Sequence, residues 1–497
     1  MIEIKDVGFS YENARKDDSI KNITATIPRG QVVLLCGESG SGKTTFGRLV
    51  NGLIPCYYEG RSSGSVTVQG KNIKETELHE LAGVVGSVFQ NPKSQFYTLL
   101  ADTEIVFGCE NIGMPKEEIL SRFAKTVRLF QIEKLLGKNL LELSGGEKQK
   151  IACASVNMLE PEILVLDEPT SNLDIHAIHE LRSVLELWKK KGKTILIAEH
   201  RLSWVRGLVD RVLYFKNGTV AEDIPAEMFW KRSVEEFHLG GLRCADVFLP
   251  QKTEKKRSEK SYTLTDFTFS YKNGRKIEIP EFEIPRGAVV AILGDNGAGK
   301  STFAKCICGL MKHCRGKISD GKKVYQGRRL WKLAYLVFQD VNHQLFSESV
   351  KEEVTLGLPL SEEKKEELAG QVLRQMGLFD YKDCHPMSLS GGQKQRLAVA
   401  GAMASGKDLI VYDEPTSGLD YRHMEIVADM INDLSEKGKT QFIITHDPEL
   451  VERCCDRFLF LKNGKVECEG RWTKENIGRV KEYYKTTFGA ESYNKKV

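Results

Sequence analysis

Gly37-Glu38-Ser39-Gly40-Ser41-Gly42-Lys43-Thr44 decides the fold of this chain. An apolar run, Val32-Val33-Leu34-Leu35, precedes it, and a helix-compatible segment, Thr45-Phe46-Gly47-Arg48-Leu49-Val50, follows. A strand, a glycine-rich loop and a helix opening on Lys-Thr form the phosphate-cradling P-loop, G-x-x-x-x-G-K-[ST]. The glycines let backbone N–H groups approach phosphate oxygens, because no Cβ stands between them. The helix N-terminus adds partial positive charge at the same point. In this motif Lys43 reaches the phosphates and the Thr44 hydroxyl ligates Mg²⁺. The motif is written again at Gly294-Asp295-Asn296-Gly297-Ala298-Gly299-Lys300-Ser301.

The second copy begins an internal repeat. Phe9-Ser10-Tyr11 recurs as Phe269-Ser270-Tyr271, and Val88-Phe89-Gln90 as Val337-Phe338-Gln339. Leu143-Ser144-Gly145-Gly146 recurs as Leu389-Ser390-Gly391-Gly392. Leu166-Asp167-Glu168-Pro169-Thr170-Ser171 recurs as Tyr412-Asp413-Glu414-Pro415-Thr416-Ser417, and His200 as His446. From Ser144 onward the copies lie 246 residues apart, whereas the P-loop lysines lie 257 apart. The first copy therefore carries extra residues after its P-loop, around Cys56-Tyr57-Tyr58-Glu59-Gly60-Arg61-Ser62-Ser63-Gly64. A period this long means two copies of one domain. The expected division is a first domain over 1–245, a charged linker over 246–261, a second domain over 262–485 and a tail over 486–497. The linker stretch, Gln251-Lys252-Thr253-Glu254-Lys255-Lys256-Arg257-Ser258-Glu259-Lys260, reads as a solvated connector, with a basic binding patch as its rival.

Composition narrows the class. The chain has 497 residues, 41% hydrophobic and 28% charged, the mix of a globular protein with room for two to four domains. A formal charge of +4 is too small to argue for nucleic acid. The absence of a run of about 18 apolar residues means that the chain does not cross a membrane by its own helices. Met1-Ile2-Glu3-Ile4-Lys5-Asp6 alternates and carries charge, so a strand is expected there and not a signal peptide. The twelve cysteines lack paired metal spacing. Cys306, Cys308, Cys454 and Cys455 read as small buried residues on helices, and a reducing cytosol is simpler than a disulfide framework.

Within each half the pattern is α/β. Apolar runs at 32–36, 163–166 and 194–198, matched by 289–293, 409–412 and 441–445, alternate with helical segments, which predicts a mostly parallel sheet covered by helices. Between the Gln and the Leu-Ser-Gly-Gly element each half carries an apolar stripe at helical spacing. The residues are Ile119, Phe123, Val127 and Phe130 in the first, Leu368, Val372 and Met376 in the second. These predict core packing of a helical subdomain.

P-loop, Gln, Leu-Ser-Gly-Gly, hydrophobic-Asp-Glu, Ser-x-Leu-Asp and His, in that order and in duplicate, resemble the nucleotide-binding domains of ABC ATPases. The resemblance covers nearly the whole chain. It implies two tandem P-loop NTPase domains, each a mostly parallel core sheet with an antiparallel β subdomain and a helical subdomain, binding ATP and Mg²⁺. ATP is then held by Gly37, Ser39, Gly40, Gly42, Lys43, Thr44 and Thr45, and by Gly294, Asn296, Gly297, Gly299, Lys300, Ser301 and Thr302. Tyr11 and Tyr271 match the residue that stacks on adenine, with core packing as the rival reading. Thr44, Gln90 and Asp167, and Ser301, Gln339 and Asp413, would hold Mg²⁺ and its water. Glu168 and Glu414 match the general base, and His200 and His446 the contact to the γ-phosphate. Ser144-Gly145-Gly146 and Ser390-Gly391-Gly392 start helices and make second anion sites. In the family such a site closes on ATP held by the opposing domain, so Lys43, Asp167, Glu168 and His200 would face Ser390-Gly391-Gly392. Lys300, Asp413, Glu414 and His446 would face Ser144-Gly145-Gly146. The copies differ at Glu147 against Gln393 and at Lys150 against Arg396; neither change removes a phosphate ligand, so both sites are expected to hydrolyse ATP.

Further stretches resemble the fused ATPase of energy-coupling factor importers, which take up vitamins and metals. They are Asn51-Gly52-Leu53-Ile54-Pro55 with Tyr58-Glu59-Gly60, Phe89-Gln90-Asn91-Pro92 with Gln95-Phe96, Ala198-Glu199-His200-Arg201, and Phe338-Gln339-Asp340 with Gln344-Leu345-Phe346. This likeness implies a transmembrane coupling subunit, a separate substrate-binding membrane subunit, and a place on the cytoplasmic face of a bacterial cell membrane, with no nucleic acid partner. Other ABC importers and tandem ABC proteins acting on ribosomes are the alternatives. The short linker counts against a ribosomal factor with a long helical linker, and the lack of an N-terminal cysteine cluster against the iron–sulfur type. An intact second half counts against a fused sugar importer.

Overall fold

The computed structural model describes residues 1–12, 19–171, 173–243, 259–271, 274, 276–473, 476 and 478. The expected tail, most of the expected linker (246–258) and residues 479–485 of the second expected domain lie outside the described residues. The chain divides into two compact units, Met1–Asp246 and Val247–Val497.

In the first unit, β3 (Val32–Gly37), β6 (Val85–Val88), β7 (Ile163–Asp167), β8 (Thr194–Ala198), β9 (Arg211–Lys216) and β10 (Thr219–Pro225) form a six-stranded sheet in the order β10-β9-β3-β8-β7-β6. Every neighbouring pair is parallel except β9–β10. The central strands are unbroken apolar runs because both faces are covered; all six residues of β3 and all five of β8 are buried. A second sheet, β2-β1-β4-β5, is antiparallel. It comprises β1 (Ile2–Tyr11), β2 (Ser19–Ile27), β4 (Gly60–Val68) and β5 (Lys71–Asn72). Ile2, Ile4, Val7 and Phe9 of β1 alternate inward against Phe46 and Leu49 of the helix Lys43–Val50. The helices Ala101–Asn111, Lys116–Phe130 and Gly145–Met158 pack together on the other side of the unit's core. On Lys116–Phe130 the expected stripe is seen: Val127 and Phe130 are buried, with Ile119 and Phe123 packed beside them.

The second unit repeats the plan with one continuous sheet. Its parallel core runs β17 (Ala334–Val337), β18 (Leu409–Asp413), β19 (Thr440–Ile444), β14 (Val289–Leu293), β20 (Arg457–Lys462), and then antiparallel β21 (Lys465–Arg471). The antiparallel part is β11 (Ser261–Ser270), β12 (Lys276–Ile279), β13 (Phe282–Pro285), β15 (Arg315–Ser319) and β16 (Val324–Gln326). It joins the core through Glu278↔Lys465. The same junction exists in the first unit as a single hydrogen bond, Lys21 N–H to Gly218 O at 2.8 Å, matching Glu278 N–H to Gly464 O at 2.8 Å.

Two expected starts shift by one residue, while the runs expected at 32–36, 163–166 and 409–412 each extend one residue further, to Gly37, Asp167 and Asp413. Ser261, counted with the linker, already pairs with Pro285 at the start of β11. The run expected at 441–445 is the strand Thr440–Ile444, because buried Thr440 pairs with Leu409 while Thr445 has left the sheet. The extra residues of the first half lengthen a strand. β4 pairs with β1 along its whole length, to Tyr11↔Gly60, whereas pairing of β11 with β15 ends at Thr268↔Arg315.

Candidate active sites

Each unit places its P-loop and its predicted Gln, Asp, Glu and His at or just beyond the C-terminal ends of the core strands, where open parallel sheets leave room for ligands. β3 ends on Gly37, at φ +148°, where a Cβ would lie 2.3 Å from the Phe215 carbonyl oxygen. Gly42, at φ +105°, would carry a Cβ into Ile20 at 2.5 Å. These two positions require glycine. Lys43 is buried at the first turn of its helix, and its ammonium donates to Gly37 O (2.9 Å) and Glu38 O (2.8 Å). The cation thus bridges the loop from inside, while Ser39 and Gly40 stay exposed at its rim.

The Thr44 hydroxyl donates to Asp167 Oδ1 at 3.1 Å. Burial and the charge of neighbouring Glu168 push the Asp167 carboxyl up to about 6, against the pull of Thr44 and Lys43. A hydroxyl and a carboxylate side by side are hard oxygen donors suited to Mg²⁺, which keeps several waters and takes few protein ligands. Glu168 stands at φ +44°, a left-handed conformation that costs a non-glycine residue about 1 kcal/mol. Its own N–H, bonded to Ala198 O at 2.8 Å, pins that turn. Its carboxylate accepts from Gln90 Nε2 at 2.7 Å and lies 3.3 Å from Nε2 of buried His200. Gln90, Glu168 and His200, from three separate segments, therefore meet at one carboxylate.

The second site is built alike. Gly294 has φ +137° and Gly299 φ +100°, and a Cβ on Gly294 would sit 2.1 Å from Leu461 O. Lys300 donates to Gly294 O (2.6 Å) and Asp295 O (2.9 Å), with Asn296 and Gly297 exposed at the loop's rim. Burial raises the Asp413 carboxyl, while a hydrogen bond from Ser301 and the Lys300 charge oppose the shift. Glu414 again has positive φ, +51°, with its N–H on Ile444 O. It accepts from Thr445 Oγ1 and His446 N–H, each at 3.4 Å, and His446 Nε2 is 3.8 Å away. Gln339 is exposed beyond the end of β17.

Ser144 and Ser390 are exposed N-caps of the helices Gly145–Met158 and Gly391–Ala404. Each closes a reciprocal capping box, with Glu147 and Gln393 respectively. That fixes the backbone N–H groups of Gly145, Gly146, Gly391 and Gly392 at helix starts, as an anion site needs. The Tyr11 hydroxyl lies 3.2 Å from Thr45 Oγ1, and the Tyr271 hydroxyl 2.6 Å from Thr302 Oγ1, so each tyrosine is tied to its P-loop helix.

Sequence reading missed the groups that hold the histidine turns. Glu199, 2% exposed, accepts from Thr170 Oγ1 (2.6 Å), His200 N–H (2.8 Å), Arg201 N–H (3.1 Å) and Trp204 Nε1 (3.3 Å). In the second unit that place in sequence is Thr445, and the carboxylate comes from the other side of the histidine. Asp447 accepts from Thr416 Oγ1 at 2.7 Å and caps the helix Pro448–Cys454. Asp-Pro at a helix start signals the second case; an acid between a buried strand and a histidine carries no comparable signal.

The raised carboxyl of Asp167 makes a testable trade-off. A carboxyl whose folded pKa exceeds its unfolded value gives stability that is complete below the ordinary carboxylate range and lost as pH rises through about 6. In chelator, without nucleotide, Asp167→Asn should raise the melting temperature between about pH 6 and pH 8, by an effect of order 2 kcal/mol, and change little near pH 4. Melting curves across pH check this; an equal shift at every pH would exclude titration of Asp167 as the cause.

Comparison with known proteins gives one family. The family model described as ABC transporter matches residues 20–171 and again 277–417. A Treponema denticola chain carrying the provisional name ABC transporter ATP-binding protein is 42% identical over 485 residues, 96% of this chain and 98% of that one. A Methanosarcina acetivorans chain with the same provisional name is 35% identical, covering 93% of this chain and 84% of its own length. Among solved structures, a ribosome-bound archaeal Pelota and ABCE1 model matches at TM-score 0.70 and 21% identity, over 96% of this chain and 80% of that one. An RNase-L inhibitor matches at TM-score 0.63 and 20% identity, over 96% and 93%. At such identities the structural likeness speaks for the fold alone.

Proposed function

The chain belongs to the ABC transporter family, with two tandem ATPase domains, and from that premise we propose that it is the ATP-hydrolysing subunit of an energy-coupling factor type importer. It would energise uptake of a small molecule: a vitamin, a precursor or a metal ion. One observation carries the catalytic half of this reading. Each unit sets a loop-bridging lysine, a hydroxyl–carboxylate pair and a glutamate beside a histidine at the ends of its core strands.

The chain's groups divide the work as follows. Loop N–H groups and Lys43 or Lys300 bind the phosphates of ATP, and Tyr11 or Tyr271 offers a face to the base. Thr44 with Asp167, or Ser301 with Asp413, would hold Mg²⁺, which supplies charge neutralisation on the phosphates. Glu168 or Glu414 accepts a proton from the attacking water, and His200 or His446 donates toward the γ-phosphate. Gln90, hydrogen-bonded to Glu168, links the base to the segment after β6, and Gln339 occupies the same sequence position in the second unit. These segments are the proposed receivers for a membrane subunit. ATP binding would pair the two domains, each completing the other's site with Ser144-Gly145-Gly146 or Ser390-Gly391-Gly392, and hydrolysis would release them.

The transport half of the reading rests on the names of relatives that match over 98% and 84% of their length and on the sequence stretches after each Gln. No helix among the described residues is long and apolar enough to cross a membrane. The proposed place is the cytoplasmic membrane face, beside a transmembrane coupling subunit and a substrate-binding membrane subunit. Purification from native membranes in mild detergent should recover small integral membrane proteins with this chain. Recovery of ribosomes in their place would sink the importer reading.

A further inference from the structure

Among the described residues, Arg48 and the extra residues of the first half surround Tyr11 with groups that have no counterpart at Tyr271. Arg48, one turn beyond Thr44 on the P-loop helix, donates from Nη1 to the Tyr11 hydroxyl at 2.9 Å. The same guanidinium lies 4.1 Å from the centre of the Tyr58 ring and 6.0 Å from that of Tyr11. Tyr58 meets Tyr11 edge-on, with centroids 5.9 Å apart at 88°, and Tyr57 meets Tyr58 at 5.0 Å. Phe9 closes on Tyr11 at 4.9 Å and 86°. The lengthened β4 anchors the arrangement, because its first residue, Gly60, pairs with Tyr11.

In the second unit Phe269 also meets Tyr271 edge-on at 4.9 Å. The rest has no counterpart among the described residues there. Lys305 takes the sequence place of Arg48, the segment before β15 contains no tyrosine, and β15 pairs with β11 only as far as Thr268. Tyr271 is 40% exposed, whereas Tyr11 is half-buried.

We propose that Arg48 and Tyr58 are positioning residues that clamp Tyr11 and make the first ATP site the tighter and more base-selective of the two. The inference rests on Tyr11 serving as the platform for the base. A stacking ring held in place before binding loses little rotational freedom when the nucleotide arrives, and that preorganisation appears as affinity. The guanidinium lowers the cost of holding the rings together through cation–π attraction. Its hydrogen bond also fixes the base platform to the helix that carries the phosphate loop, so base and phosphate ends are gripped in register. Among the described residues Tyr271 has one such tie, to Thr302, and it is the more exposed of the two rings.

The test isolates each site in the full chain with Lys300→Ala or Lys43→Ala and measures equilibrium binding of MgATP and of Mg-tripolyphosphate, which has no base. In the Lys300→Ala background, Tyr58→Ala and Arg48→Met should each weaken MgATP about tenfold and leave tripolyphosphate within about twofold. Tyr58→Phe should retain binding, because the contact needs the ring and not its hydroxyl. In the Lys43→Ala background, Lys305→Met should change MgATP affinity less than about twofold. The clamp is overturned if MgATP affinity at the first site is unmoved by Tyr58→Ala, or if tripolyphosphate weakens in parallel, which would mean a disturbed phosphate loop. Tyr11→Ala separates the two levels. If it leaves MgATP binding intact, Tyr11 is not the platform and the clamp falls with that premise. If Tyr11→Ala weakens binding while Tyr58→Ala does not, the platform stands and only the clamp fails.

Discussion

Glu168→Gln combined with Glu414→Gln should reduce steady-state ATP turnover at least about a hundredfold, the range lost when a general base is removed. Each single variant should leave about half of the wild-type rate or less. Glutamine keeps the size of the side chain and one acceptor oxygen, so the Gln90 contact at 2.7 Å can survive the change. What it loses is the basic carboxylate proposed to take the water's proton. The φ values of +44° and +51° at these positions mean that the local fold holds the carboxylate at the strand end at an energetic cost, which suits a catalytic group better than a surface acid. Phosphate release measured at saturating MgATP reads the effect. A double variant that turns over at nearly the wild-type rate would remove both glutamates from the chemistry, and a silent single variant would mark its site as structural.

The core of the fold was open to reading because its central strands are buried on both faces. A run such as Val32 to Leu35 or Ile195 to Ala198 has no polar interruption, and the P-loop between strand and helix admits few other conformations. Duplication then marked the candidate site residues, since chance does not place Gln90, Ser144, Asp167, Glu168 and His200 at matched positions twice. What escaped the sequence depends on side chains from distant segments meeting. Glu199 and Asp447 hold their histidine turns from opposite sides of the histidine, so no common spacing reveals them. The left-handed turn at Glu168 and Glu414 is likewise invisible, because it is imposed by backbone bonds to Ala198 and Ile444 and not by a glycine. The structural role of the extra residues after the first P-loop is also hidden in sequence, because it depends on β4 pairing with β1 as far as Tyr11.

A second pair of double variants tests which half completes which site. If ATP on Lys43 is closed by Ser390-Gly391-Gly392, then Glu168→Gln with Ser390→Arg damages one site twice and leaves the other whole. Its turnover should equal that of Glu168→Gln alone. Glu168→Gln with Ser144→Arg spreads the same two kinds of damage over both sites, and its rate should fall toward that of the double glutamine variant, at least about tenfold below its counterpart. The comparison is balanced in stability, because Ser144 and Ser390 cap equivalent helices through the same reciprocal box, so losing either costs about 1 kcal/mol. Any difference between the two variants therefore belongs to site ownership and not to folding. The opposite ranking would show that each serine serves the P-loop of its own domain, and equal rates would mean that the two sites do not turn over independently.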